Sequence, residues 1–155
     1  MNIYIATKNQ DAAVSLRRKL KDIFKNRVEF TSSWIDQESY GNTPICQKTS
    51  IAKRCDKDVR ECDLLINIAD EANVPGGKHV ELGIALALGK RVIAFGRREN
   101  IFHYHPDVRF YEDEAGLIED VERFINDKST CGMRKKGFWG RLVQHRFSRL
   151  STHSS

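Results

Sequence analysis

No apolar run among these 155 residues approaches the roughly 20 needed to cross a bilayer. The opening Met1-Asn2-Ile3-Tyr4-Ile5-Ala6 turns polar too soon for a signal peptide. Cysteine is sparse, and Cys46, Cys55, Cys62 and Cys131 have neither metal-ligand spacing nor a secretory context. Reduced thiols and a cytoplasmic protein are therefore expected. The spaced glycines of a dinucleotide fingerprint are missing, as is the Lys-Ser/Thr of a Walker loop. His103 and His105 stand two apart with no acidic partner at ligand spacing, so no metal is expected, and no cofactor. There is no internal repeat.

Acidic residues are also absent from Lys128 to the end, a stretch holding seven Lys or Arg. The whole chain carries +5, so residues 1–127 are left at −2. A mildly acidic globule with a basic tail follows, and arguments from isoelectric point apply to the tail alone. The hydrophobic fraction of 40% and charged fraction of 30% are those of an ordinary soluble domain, long enough to bury a core without staples. We divide the chain into a domain at 1–127 and a tail at 128–155.

What is present is an alternation of strand and helix signals. Ile3-Tyr4-Ile5-Ala6 reads as a strand, followed by a polar turn at Thr7-Lys8-Asn9-Gln10. Ala12, Ala13, Leu16, Leu20, Ile23 and Phe24 then recur at helical spacing. Val28 to Thr31 is a second strand, and Ser32 to Pro44 a long polar loop containing Trp34 and Tyr40. A helix is predicted from about Thr49 to Cys62. Leu64 to Ile68 is a continuous apolar strand, which suits a sheet covered on both faces. A helix from about Gly77 to Leu88, closed by Gly89, precedes a buried strand at Arg91 to Phe95. Val108 to Tyr111 is a fifth strand, and Glu114 to Ile125 a final helix. This alternation predicts an α/β fold: a doubly wound, five-stranded parallel sheet in the flavodoxin-like order 2-1-3-4-5. Ligands in such sheets bind beyond the carboxyl ends of the strands, beside the switch in strand order.

The stretch from Pro75 to Ile93 carries the chemistry. A glycine pair, Gly76-Gly77, opens a helix whose first turns hold one carboxylate, Glu81. Backbone amides and the positive end of that helix would face the crevice. The helix is apolar nearly all round, so it should be buried, and a carboxylate there is less costly facing a crevice than facing the core. Gly76, Gly77 and Lys78 are candidates for binding a 5′-phosphate, with solvent the alternative place for the Lys78 ammonium. Trp34 suits either core packing or stacking on a base.

Residues Gly76 to Gly89 resemble the signature of the nucleoside 2-deoxyribosyltransferase family and its nucleotide N-glycosidase relatives. The resemblance extends to Ile3-Tyr4-Ile5-Ala6, to the Ala52 to Ile68 unit and to Arg98 to His103, about residues 2–125 in all. It implies that Glu81 is the nucleophile of a glycosyl-enzyme mechanism and that Tyr4 orients it. It also implies a nucleoside or nucleoside 5′-monophosphate substrate. The family places an aspartate in the second helix; by spacing that position is Cys55, with Asp56 one residue later. One residue turns a helical side chain by about 100 degrees, and Asp56 stands as the substrate-binding candidate there. An acidic residue before the glycine turn is replaced by Pro75, with Asp70, Glu71 and Asn73 upstream. Asn100 and His103 are expected at the crevice or between the subunits of a homodimer or larger homo-oligomer. A nucleotide-binding or sensing module without turnover is the other functional reading.

In the tail, Phe138, Trp139, Leu142, Val143, Phe147 and Leu150 fall at helical spacing among basic residues. Docking on protein is the first reading; contact with a membrane surface or nucleic acid, and disorder, are the others.

Overall fold

The computed structural model describes residues 1–37, 44–69 and 76–130, with side chains through Asp127. The strands are β1 (Asn2–Ala6), β2 (Glu29–Phe30), β3 (Leu64–Ala69), β4 (Arg91–Gly96) and β5 (Val108–Tyr111). The α-helices are α1 (Gln10–Phe24), α2 (Ile45–Glu61), α3 (Gly77–Ala87) and α4 (Glu114–Thr130). All strand pairs are parallel, in the order β2-β1-β3-β4-β5. The fold class, sheet and strand order are those expected from the sequence.

Burial explains the arrangement. Every residue of β3 is buried, Asn67 included, as the largely apolar run requires of the central strand. The edge strands are shorter and expose Glu29 and Arg109. Helices α2 and α3 pack together on one face, while α1 and α4 cover the other and are joined by the Lys19–Glu114 ion pair. Ala13, Leu16, Leu20 and Phe24 of α1 and Leu117, Val121 and Ile125 of α4 complete the core.

Turn chemistry is local and legible. Asn9 caps α1 through its Oδ1, which accepts from the Ala12 amide at 3.0 Å. Gly89 ends the α3 turn at φ +63, with the Lys90 amide closing on the Ala85 carbonyl at 2.9 Å. Gly96, at φ +109, ends β4 where an added Cβ would lie 2.4 Å from the Ala69 carbonyl oxygen.

Four differences from expectation matter. Helix α2 begins at Ile45, earlier than the apolar spacing suggested. Part of the long loop is a 3-10 turn at Ser33–Asp36, while Tyr40 lies outside the described residues. Helix α4 continues to Thr130, through residue 127, and the rest of the basic tail lies beyond the described residues. Finally, α3 is not buried all round: Lys78, Leu82 and Ala85 are, but Val80 and Leu88 are exposed. The sheet covers only one face of this helix, so its apolar outer face meets solvent.

Candidate active site

Because the strands are parallel, β1, β3 and β4 end at one edge, beside the β1/β3 switch in strand order. A cavity of about 360 Å³ opens there, lined by Thr7, Lys8, Trp34, Ile51, Cys55, Gly76, Gly77, Lys78 and Glu81. A larger depression of about 640 Å³ lies at the opposite edge, near Cys62, Lys90, Arg91 and Arg109. The smaller cavity sits where doubly wound sheets bind ligands and holds the carboxylate singled out above.

The Tyr4 hydroxyl donates to Glu81 Oε1 at 2.7 Å. Tyr4 is fully buried on β1, and Glu81 stands on the second turn of α3. Burial pushes the Glu81 carboxyl up to about 7; the Tyr4 hydrogen bond opposes this, and the charge of Asp58 adds to it. The Tyr4 hydroxyl is held protonated, first by its burial and then by the Glu81 charge. The Cys55 thiol is raised by burial and then by the Glu81 charge, with Tyr4 opposing. An added Cβ at Gly77 would stand 3.8 Å from Glu81 Oε1, in ordinary van der Waals contact.

Trp34 serves the core and the cavity together. It is buried, its Nε1 donates to the Ile5 carbonyl at 3.0 Å, and it forms part of the cavity wall. Asp58, which spacing did not single out, is buried one turn after Cys55 and accepts from Ser33 N at 3.1 Å and Ser33 Oγ at 2.5 Å. Its signal in the sequence is weak: an acid on the buried stripe of an amphipathic helix.

Other sequence candidates are placed elsewhere. Asp56 faces outward and pairs with Arg60 at 2.8 Å, as neighbours at i and i+4 do. It does not line the cavity. Lys78 lines the cavity, but its ammonium is not in solvent. It is buried, with Nζ 2.5 Å from Glu99 Oε1 and 3.4 Å from the Ile68 carbonyl. Asn100 Oδ1 caps its own turn by accepting from the Phe102 amide at 2.8 Å. His103 is buried with Nε2 3.0 Å from Asn67 Oδ1, and its burial lowers the imidazole's proton affinity. Neither Asn100 nor His103 lines the cavity.

Among the described residues, His79, Glu99 and His103 bring their ligand atoms within 4.8 Å of one another. Local spacing missed this cluster because His79 comes from α3 while the other two follow β4. Its donors could hold a divalent ion, but the Lys78 ammonium on Glu99 already supplies a balancing positive charge.

The family model for nucleoside 2-deoxyribosyltransferase matches residues 3–134. The chain belongs to that family. The assignment supports nucleoside 2-deoxyribosyltransferase activity as the general class. No curated protein matches the chain. Among solved structures, the CMP N-glycosidase BcmB of Clostridium botulinum is similar at 18% identity and a TM-score of 0.55, over 79% of this chain and 99% of that one. A conserved protein from Enterococcus faecalis V583 is similar at 15% identity and a TM-score of 0.63, over 80% of this chain and 98% of that one. A 2-deoxyribosyltransferase from Leishmania mexicana is similar at 17% identity and a TM-score of 0.52, over 81% and 97% respectively. At these identities the likenesses speak for the fold. None of the described helices is long and apolar enough to cross a membrane.

Proposed function

We propose that this family member cleaves or exchanges the N-glycosidic bond of a nucleoside or nucleoside 5′-monophosphate, with Glu81 as nucleophile. The observation that carries the reading is the Glu81 carboxylate, lining the cavity at the carboxyl edge of the sheet and held at 2.7 Å by the Tyr4 hydroxyl. Ionised Glu81 attacks the anomeric carbon as the sugar acquires oxocarbenium character. A bond forms between C1′ and the carboxylate oxygen while the bond from C1′ to the base nitrogen breaks. The base leaves with the bonding pair and takes a proton from water. Water attacking C1′ then returns free sugar and carboxylate; a second base attacking it completes an exchange.

Tyr4 aims the attacking oxygen and favours its ionised form. Trp34 offers a flat face to the base. For a 5′-phosphate, the uncapped amides at Gly76 and Gly77 are joined by Lys8, whose ammonium is exposed and has no partner among the described residues. Lys8 therefore suits that role better than Lys78, which Glu99 holds. Val80 on α3, Leu88 at its end, and Ile101, Phe102 and Tyr104 after β4 are exposed apolar side chains available for a second copy of the chain to cover.

A panel of ribonucleosides, deoxynucleosides and their 5′-monophosphates, with base release followed by chromatography, tests the reading. Wild type is expected to release base, and Glu81→Ala to release it at least about 10³-fold more slowly. No release by wild type, or undiminished release by Glu81→Ala, overturns it. Cys55, at the place where the family has an aspartate, favours the second reading, a binding module without turnover; saturable nucleotide binding with no base release would establish that one.

A further inference from the structure

Asp58 is buried, yet the hydrogen bonds it makes do not require a charge. Ile51, Cys55, Asp58 and Val59 share the inward stripe of α2. The Asp58 Oδ2 accepts from the amide and hydroxyl of Ser33, at 3.1 and 2.5 Å. The next residue, Trp34, is a cavity wall. Its Nε1 donates to the Ile5 carbonyl at 3.0 Å, and the Ile5 amide donates to Ser32 Oγ at 3.1 Å. The Ser32 to Trp34 segment is thus stitched to β1 directly beside Tyr4, and Asp58 fastens the same segment to α2.

An asparagine oxygen would accept from Ser33 equally well. A carboxylate in this place carries a desolvation penalty that an amide largely avoids. Its charge is felt at the site, since Asp58 raises both Glu81 and Cys55. The groups facing Glu81 from the packed elements are Tyr4 on β1 and Cys55 and Asp58 on α2. Lys8 stands at the cavity wall, and on α3 itself Lys78 turns its ammonium to Glu99. Asp58 is therefore the second carboxylate acting on this site from within the fold.

We propose that Asp58 is a positioning residue: it clamps the Trp34 wall to α2 and sets a fixed negative charge behind the Tyr4–Glu81 pair, where positive charge develops on the sugar. The catalytic half of this inference rests on the glycosyl-transfer reading above. A preorganised charge aimed at a developing cation stabilises the transition state more than the neutral ground state.

Asp58→Asn keeps an oxygen for Ser33 and removes the charge. Asp58→Ser provides a second neutral variant should the amide not fit. Glu81 ionisation is followed in the full chain by carboxyl ¹³C NMR, assigned by its loss in Glu81→Gln, and needs no turnover. The midpoint is expected to fall by roughly half to one pH unit in the neutral variant. Base release at pH 9, where Glu81 is ionised in both proteins, is expected to fall about tenfold or more in kcat with KM changed less than about twofold. An unchanged midpoint together with unchanged kcat overturns the proposal and leaves a plain structural clamp. A shifted midpoint in a protein that releases no base from any substrate keeps the placement of the charge and discards the glycosyl-transfer reading.

Discussion

Tyr4 Oη and Glu81 Oε1 stand 2.7 Å apart although 77 positions separate them in the chain. The bond ties the first strand to the third helix and leaves a carboxylate whose only hydrogen-bond donor among the described residues is a buried phenol. Removing that hydroxyl is therefore informative. In Tyr4→Phe the donor that favours the ionised form is lost, so the Glu81 midpoint should rise above about 7. The rising limb of the pH–rate profile should move to higher pH with it. A charge-assisted hydrogen bond contributes about 1.5–3 kcal/mol, so kcat/KM should fall by about 10- to 150-fold. Steady-state rates between pH 5 and 9 test both effects.

The same carboxyl makes stability depend on pH. Its folded value of about 7 lies above the ordinary 4.5, so the folded protein holds this proton more tightly than the unfolded chain. Stability from this group is fully present below pH 4.5 and is lost as pH rises through about 7, a loss on the order of 3 kcal/mol. Glu81→Gln removes the loss. It should raise Tm at pH 8 by several degrees relative to wild type and change it little at pH 5. Calorimetry at the two pH values distinguishes this from a uniform stabilisation.

The Lys78–Glu99 pair is buried on both sides, with side chains only 1% and 2% exposed. Removing one partner leaves the other charged and dry. Lys78→Met and Glu99→Gln should each destabilise by about 3–5 kcal/mol, and the double variant by clearly less than their sum. Urea titrations of the three proteins measure the coupling.

Thiol reactivity should follow exposure. Cys46 is exposed, whereas burial raises Cys55 and pushes Cys62 up to about 11. Among the cysteines of the described residues, iodoacetamide at pH 7.5 should label Cys46 first, Cys55 more slowly and Cys62 last, as peptide mass spectrometry would resolve. A ligand filling the cavity should slow Cys55 and leave Cys46 unaffected.

The exposed apolar face beside α3 predicts self-association. Val80→Glu and Leu88→Glu should shift the sedimentation coefficient toward the monomer without lowering Tm by more than a few degrees, since both side chains are exposed. Sedimentation unaffected by either change would place any oligomeric contact elsewhere.

Much of the architecture was determined by the sequence alone. The run of β3, apolar but for Asn67, required a strand covered on both faces, and the alternation of strand and helix left few parallel arrangements. Gly89 marked a helix end because capping depends on neighbours in the chain, whereas Asn9, read only as part of a polar turn, caps α1 in the structure. Glu81 could be singled out because a lone carboxylate in an apolar helix is conspicuous at short range. Only the tertiary structure decided which charged groups meet. It turned Asp56 toward Arg60 and brought Asp58 inward to Ser33, since two positions along a helix amount to about 200 degrees of rotation. It carried the Lys78 ammonium to Glu99, set His79 beside His103, and left one face of α3 bare. Periodicity reports which face of an element is apolar. Which residues of other elements oppose that face depends on crossovers that join positions tens of residues apart, and no local spacing records them.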